Sequence, residues 1–332
     1  MKFELQKSEI QKIALEHSYT ANNVEKVIRL SFILNDLNAH TEFNGKLLLK
    51  GGTAINLLAF AEPPRLSVDL DLDFAEGISK ERMMDERDKI NRALVLYCQE
   101  NDYEVTLRKS FSLDSYSLYY ITVTGSRDKI KLDINYHNRC HILPYVVTQI
   151  PFPFSVKDGM LNVAHLALPE LFGGKIKAFY ERCKPRDIYD IYSLAQSGIL
   201  SAPEERDLLR KCTVFYSTLG NPDNPCLLEQ DVRHILEMPF QDIKAQLLPM
   251  LHINAGKYPK DEINHCVIDY LSALMTLDET EQKYIDEFYK GNYGPNLLFD
   301  DEIAVKLLNH PVALRTQQQI MKSKSKDEIE NG

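Results

Sequence analysis

The chain has no tryptophan, only 14 glycines in 332 residues, and no apolar run near the roughly 18–20 residues that a membrane span requires. An integral membrane protein is therefore excluded. The opening residues, MKFELQKSEIQKIALEHS, hold neither an uninterrupted apolar core nor a small-residue cleavage site, so no signal peptide and a cytoplasmic location are expected. The six cysteines, Cys98, Cys140, Cys183, Cys212, Cys226 and Cys266, show no CxxC spacing and read as free thiols of a reducing compartment. Cys140 and His141 lie close to His137, but no second ligand cluster accompanies them, which argues against a structural zinc. A basic excess is missing too. Lys and Arg total 39 against 48 Asp and Glu, a net charge of −9, which argues against a broad DNA-coating surface and leaves room for a local basic patch.

What is present is ordinary globular material. With 44% apolar and 26% charged residues the chain can bury enough surface to offset its ordering entropy, so a disordered polymer is excluded. At roughly 150 residues per domain, two domains or one domain with a large appendage are expected.

No internal repeat stands out. Val24, Val27, Ile28 and Leu34 predict an amphipathic helix over 22–40, capped by Asn22 or Asn23. Lys46–Lys50 reads as a short buried strand. Gly51-Gly52-Thr53 breaks it, and Ala54–Phe60 restarts as a helix that Glu62-Pro63-Pro64 ends. Val68–Phe74 reads as a strand and Ser79–Asn101 as a helix. Tyr103–Ser110, Tyr116–Thr124 and Lys129–Tyr136 read as further strands, the last two joined by a hairpin at Gly125–Asp128. From Leu166 the pattern is helical, with Pro169 and Pro185 each suited to a first turn, and loops at Gly220–Cys226 and Tyr289–Pro295. The polar stretch from Met321 to Gly332 reads as a frayed tail. Pro144, Pro151 and Pro153 mark a border, which predicts an α/β core with N-terminal helices at 1–160, a helical domain at 161–325 and a polar tail at 326–332.

Four local signals carry chemistry. In Asp69-Leu70-Asp71-Leu72-Asp73-Phe74, the strand period sets Asp69, Asp71 and Asp73 on one face and the apolar residues on the other. Clustered carboxylates repel, and a hard divalent cation relieves them; a solvated acidic face is the other reading the residues leave open. A calcium loop is excluded, because the sixth position is not Gly and the twelfth is Lys80. Second, Gly51-Gly52-Thr53 between strand and helix offers backbone N–H groups to a phosphate or serves as an ordinary turn; the spacings of a P-loop and of a dinucleotide fingerprint are both missing. Third, KIKLDINY (Lys129–Tyr136) places Asp133 on the polar face of a strand of the same sheet, either toward a two-metal site or toward solvent. Fourth, Lys175, Lys177, Arg182, Lys184 and Arg186 form the densest basic stretch. Asp187 and Asp190 follow on a helix opened by Pro185, and helix-end electrostatics alone could explain the pattern.

Taken together and in this order, KGGTA (Lys50–Ala54), RLSVDLD (Arg65–Asp71), KLDI (Lys131–Ile134) and K..A...R..PRD..D (Lys175–Asp190) resemble the AbiEii/AbiGii nucleotidyltransferase toxin family over residues 45–195. The resemblance implies an α+β fold, with a DNA polymerase β-like nucleotidyltransferase core built on a mixed sheet and an all-helical C-terminal domain. It implies transfer of a nucleoside monophosphate from an NTP to a hydroxyl, with Asp69, Asp71 and Asp133 holding Mg²⁺ or Mn²⁺. Asp133 would also accept the hydroxyl proton, and Gly51, Gly52 and Thr53 would cradle the β- and γ-phosphates. Arg65 and Ser67 fall in the nucleotide-binding motif. Lys175 would neutralise the triphosphate, Arg182 and Arg186 would meet phosphate or acceptor, and Asp187 and Asp190 would position Lys175. Asp73 is a carboxylate beyond the family's usual two and is expected to support the others from outside the ligand set or to be solvated. Similar toxins modify the 3′ end of tRNA and are countered by a neighbouring antitoxin without stable direct binding. The other expectations are a nucleotidyltransferase acting on a protein or small molecule, and a non-catalytic nucleotide-binding module.

Overall fold

Every second side chain of Leu113–Ile121 and of Arg127–Asn135 enters the core, and this alternation sets the faces of the sheet. The computed structural model describes residues 4–220, 228, 232–252 and 258–330; Cys226, most of the Gly220–Cys226 loop and the last two residues of the tail lie outside the described residues. The chain divides into two units.

The first unit comprises the described residues to His141, Tyr145–Leu166 and the described part of Gln241–Tyr258. It holds α1 (Lys7–Glu16), α2 (Ala21–Ala39), β1 (Leu47–Lys50), α3 (Gly51–Ala54), β2 (Asp69–Phe74), α4 (Lys80–Glu100), β3 (Glu104–Lys109), β4 (Leu113–Ile121), β5 (Arg127–Asn135), β6 (Val146–Pro151) and β7 (Met160–His165). The strands form one mixed sheet in the order β3-β4-β5-β2-β1-β7-β6. β2 runs parallel to β5 and β1 parallel to β7, while the remaining neighbours are antiparallel.

One face of the sheet is apolar. Leu70, Leu72, Phe74, Tyr116, Leu118, Ile130, Leu132 and Ile134 are all buried there. Helix α4 covers it and is fastened by a buried pair in which Arg87 Nε donates to Asp114 Oδ2 at 2.9 Å and Nη2 donates to Oδ1 at 2.6 Å. Helix α2 adds Arg29, whose guanidinium lies 4.2 Å from the Tyr120 ring centre and pairs with Glu25. Ser79 caps α4 by accepting from Arg82 N–H, as a serine at that position does.

The second unit comprises Ile142–Pro144 and the described residues from Ala167 to Phe240 and from Pro259 onward. It carries α5 (Leu168–Arg182), α6 (Pro185–Ser197), α7 (Pro203–Thr218), α9 (Lys260–Leu274), α10 (Glu279–Lys290), α11 (Asp301–Leu307) and α12 (Pro311–Glu330), while α8 (Phe240–Gln246) begins the segment assigned to the first unit. Helices α5 and α7 approach closely at Gly173, where a Cβ would lie 2.8 Å from Cys212 Cβ.

Four sequence expectations change. Helix α2 starts at Ala21 after Thr20, so Asn22 and Asn23 lie inside its first turn and neither caps it. The proline-marked stretch, in which no strand was read, contains β6 and β7, two strands of the sheet, because Pro151 and Pro153 fall at a strand end and in the single turn after it. The strand read from Tyr116 begins at Leu113. The tail read as frayed continues α12 as far as Glu330. Among the described residues the cysteines are free, and no group of three His, Cys, Asp or Glu side chains is arranged to hold one metal ion.

Candidate active site

The chain leaves β1 through Gly51, whose φ of +70° is a left-handed conformation that favours glycine. A Cβ at Gly51 would collide with the Asp71 carboxylate, so glycine is what lets the backbone lie against that side chain. A Cβ at Gly52 would lie 2.7 Å from Arg65 Nη2 and 3.1 Å from Ser67 Oγ. Thr53 is buried; its hydroxyl donates to the Asp69 carbonyl and lies 3.0 Å from Ser67 Oγ. Its side chain thus clamps the turn onto β2, and what it can offer a ligand is its backbone. Arg65 is only 1% exposed, and its Nη1 donates to the Leu66 carbonyl at 2.9 Å. Helix α3 passes directly into a π-helical turn at Ile55–Ala59, a form concentrated at functional sites. A cavity of about 600 Å³ adjoins this turn, with Thr53, Arg65 and Ser67 in its wall. That volume lies within the roughly 300–1,000 Å³ of small-molecule sites.

The carboxylates stand on the face of the sheet opposite the apolar one. Parallel pairing puts Asp69 beside Lys131, Asp71 beside Asp133 and Asp73 beside Asn135. Asp133 accepts from Ser115 Oγ at 2.6 Å and from Lys131 Nζ at 2.5 Å. Burial pulls the Lys131 ammonium down, but its hydrogen bond to Asp133 and the charges of Asp133, Asp71 and Asp69 outweigh this and raise its pKa. Lys131 is therefore a cation embedded in the acidic set. Asp73, expected to support the set or to be solvated, is 1% exposed, and Lys50 Nζ approaches its Oδ1 at 2.5 Å; it is not solvated.

Asp69, Asp71 and Asp133 offer the hard oxygen donors that Mg²⁺ or Mn²⁺ takes. As placed, Lys131 and Ser115 engage both oxygens of Asp133, so the three do not yet converge on one point. The Lys131 side chain is 51% exposed and flexible, and turning it outward frees one Asp133 oxygen; on that basis the donor set fits such an ion. Lys50, Ser115 and Lys131 were not singled out from the sequence. Lys131 could have been found from its two-residue spacing to Asp133; the other two depend on strand pairing.

In the second unit, Lys175 Nζ bridges Asp187 Oδ1 and Asp190 Oδ2, each at 2.9 Å. Arg182 Nε donates to Asp187 Oδ2 at 2.8 Å and Nη2 to Oδ1 at 3.0 Å. Lys175 is 8% exposed, so it is not the surface charge that helix-end electrostatics alone would require. Burial pushes Asp187 up, but the charge of Lys175 and the bonds from Arg182 outweigh this and hold its pKa at about 2. Arg186 is half-buried on the first turn of α6, and Lys177 pairs instead with Glu181 along the helix.

Three consequences can be measured. Gly51→Ala forces a left-handed backbone costing about 1–2 kcal/mol and displaces Asp71, so transfer activity should disappear while urea melts show only that modest loss. Lys175→Met strips a partner from two buried carboxylates and should cost about 3–5 kcal/mol in the same melts; adding Asp190→Asn should recover much of it. The lowered pKa of Asp187 gives stability present above the unfolded value of 3.8 and lost as pH falls toward about 2. Acid titration by circular dichroism should therefore show a shallower slope between those limits for Asp187→Asn.

The family described as nucleotidyl transferase AbiEii toxin, type IV TA system, matches residues 33–266. Among solved structures, the chain is similar in fold to MenT4, a nucleotidyltransferase toxin from Mycobacterium tuberculosis H37Rv. The TM-score is 0.60 and the identity 15%, over 94% of this chain and 99% of that one. A search of the curated proteins gave no match by sequence. The mixed sheet, the helical C-terminal part and the extent of the family match agree, and the chain belongs to the AbiEii family of nucleotidyltransferase toxins of type IV toxin–antitoxin systems.

Proposed function

We propose that the chain transfers a nucleoside monophosphate from an NTP to the 3′-hydroxyl of tRNA and thereby inhibits growth. The observation that carries this reading is the in-register pair of Asp71 and Asp133 on parallel strands, with the Gly51 backbone packed against Asp71. Asp69, Asp71 and Asp133 would hold Mg²⁺ or Mn²⁺, which supplies neutralisation of the triphosphate and a lowered pKa for the attacking hydroxyl. The hydroxyl oxygen bonds to the α-phosphorus, the bond to the bridging oxygen breaks, and pyrophosphate leaves.

The chain's own groups divide the work. Backbone N–H groups of Gly51, Gly52 and Thr53 would meet the β- and γ-phosphates, and Arg65 and Ser67 hold that turn in shape from the space a side chain at Gly52 would need. Asp133, once Lys131 turns away, takes the hydroxyl proton. Lys175, its ammonium fixed by Asp187 and Asp190, is the counter-charge for the leaving pyrophosphate, and Arg182 and Arg186 are phosphate or acceptor contacts. The first unit would thus supply the nucleotidyltransferase core and the second the Lys/Arg-Asp motif. The type IV family implies an antitoxin, and the reading here is that it acts without stable binding to this chain. Among the described residues no helix is long and apolar enough to cross a membrane.

The test is incubation with each α-labelled NTP, a divalent cation, and either total tRNA or total protein. Label should appear on RNA and vanish with Asp69→Asn or Asp71→Asn, whose melting temperatures without divalent ions should not fall below wild type, because each removes one of several like charges. Label on protein instead would identify a protein-modifying enzyme, and activity surviving Asp71→Asn would remove the carboxylates from the chemistry.

A further inference from the structure

The open face of the sheet carries more than carboxylates. On β4 and β5 one set of alternate residues, Tyr116, Leu118, Ile130 and Leu132, is fully buried, and the other set, with Ser117, Tyr119, Arg127 and Lys129, faces out. Pairing aligns Lys131 with Ser117, Lys129 with Tyr119, and Arg108 of β3 with Ser115. Counting back along β5 from Asp133, each residue on this face is a cation: Lys131, Lys129, Arg127. They repeat every roughly 7 Å and end at a carboxylate of the candidate site.

This is unusual in a chain of net charge −9. Arg127 pairs with Glu104 at 2.7 Å, and its guanidinium lies 4.5 Å from the Tyr119 ring centre; Lys129 Nζ lies 5.7 Å from the same ring. Among the described residues Arg108 has no ion-pair partner, and its side chain is exposed. A purely solvated sheet face does not require cations in file, an aromatic ring among them, or hydroxyls alongside.

We propose that this face is the track for a single-stranded polynucleotide whose 3′ end lies at Asp133. Its phosphates meet Lys129, Arg127 and Arg108, a base stacks on Tyr119, and the Ser117 hydroxyl faces its sugars. The proposal rests on reading Asp69, Asp71 and Asp133 as a transfer centre, since it takes the acceptor to be nucleic acid. An acidic protein segment would satisfy the cations but would leave the ring without a planar partner. Stacking on an aromatic inside a cationic groove is how single strands are held without sequence preference.

The test uses the full chain and a fluorescein-labelled single-stranded RNA of about 12 nucleotides, within the site sizes such grooves cover. Affinity is read by anisotropy across a salt series. For the triple variant Arg108→Ser/Arg127→Ser/Lys129→Ser, the slope of log affinity against log salt should flatten by about two units, since each phosphate contact to a single strand contributes about 0.7. Tyr119→Leu should weaken binding roughly tenfold at every salt concentration with the slope unchanged. In transfer assays both should raise KM for RNA and leave kcat and KM for NTP as in wild type. Thermal melts matching wild type, and retention of the slope when the two arginines become lysine, exclude loss of fold as the cause. Unchanged slope and affinity in both variants overturn the track, whatever Asp71→Asn does, and so does wild-type label on protein rather than RNA. Asp71→Asn that binds the oligonucleotide normally and transfers nothing supports both readings; if it still transfers, the centre fails while the salt slope judges the track separately.

Discussion

The backbone at Gly51 and the carboxylate of Asp71 share a space that no side chain at position 51 could also occupy. The rest of the first unit's site is organised around that approach. Thr53 fastens the same turn to the Asp69 carbonyl, and Arg65 and Ser67 fill the volume a side chain at Gly52 would need. Two neighbouring glycines therefore do different things. The first supplies a backbone conformation and a contact, and the second makes room for a buried guanidinium. Asp71 is thus fixed relative to the turn before any ligand arrives, and the reorganisation left for binding is the release of Asp133 by Lys131.

Such a site must also remain folded with several carboxylates on one surface, and lysines solve this locally. Lys50 reaches Asp73, Lys131 reaches Asp133, and in the second unit Lys175 joins Asp187 to Asp190. A compact ammonium on a flexible stem suits this, because it can neutralise an oxygen and later leave it. The three differ in freedom. Lys131 is half-exposed and can turn away, whereas Lys175 is enclosed and belongs to the packing of α5 against α6. That enclosure explains why Lys175 looked ambiguous in sequence: a basic residue near a helix end followed by acids is equally the pattern of exposed helix-end charges.

Period-two alternation was enough to find β2, β3 and β5 and to say which residues of β2 face away from the core, and the four spaced motifs were enough to suggest the family. Pairing was not legible. Nothing local tells Asp71 that its neighbour is Asp133, or Lys50 that Asp73 is within reach. The strand start at Leu113 was missed because Asp114 and Ser115 are weak strand formers whose place depends on the neighbours of β4, and Ser115 was lost with it. Strands β6 and β7 were hidden by Pro151 and Pro153, which mark ends and turns of strands as readily as they mark domain borders. Thr53 reads in sequence only as part of a phosphate-cradling or ordinary turn; its burial and its bond to the Asp69 carbonyl show the hydroxyl committed to β2.

The parallel pairing of β2 with β5 has a consequence in time. Two parallel strands cannot be joined by a hairpin, so α4, β3 and β4 lie between Asp71 and Asp133 along the chain. The inner strand β1, next to β2, also takes β7 as a parallel neighbour, from far downstream. Contacts of such long sequence separation form late, because the loop-closure entropy has to be met before they stabilise anything. A nascent chain that has released β1 and β2 alone has two carboxylates of the set and no third. In this member of a nucleotidyltransferase toxin family, topology itself keeps the carboxylate set incomplete until β5 has been synthesised and paired with β2.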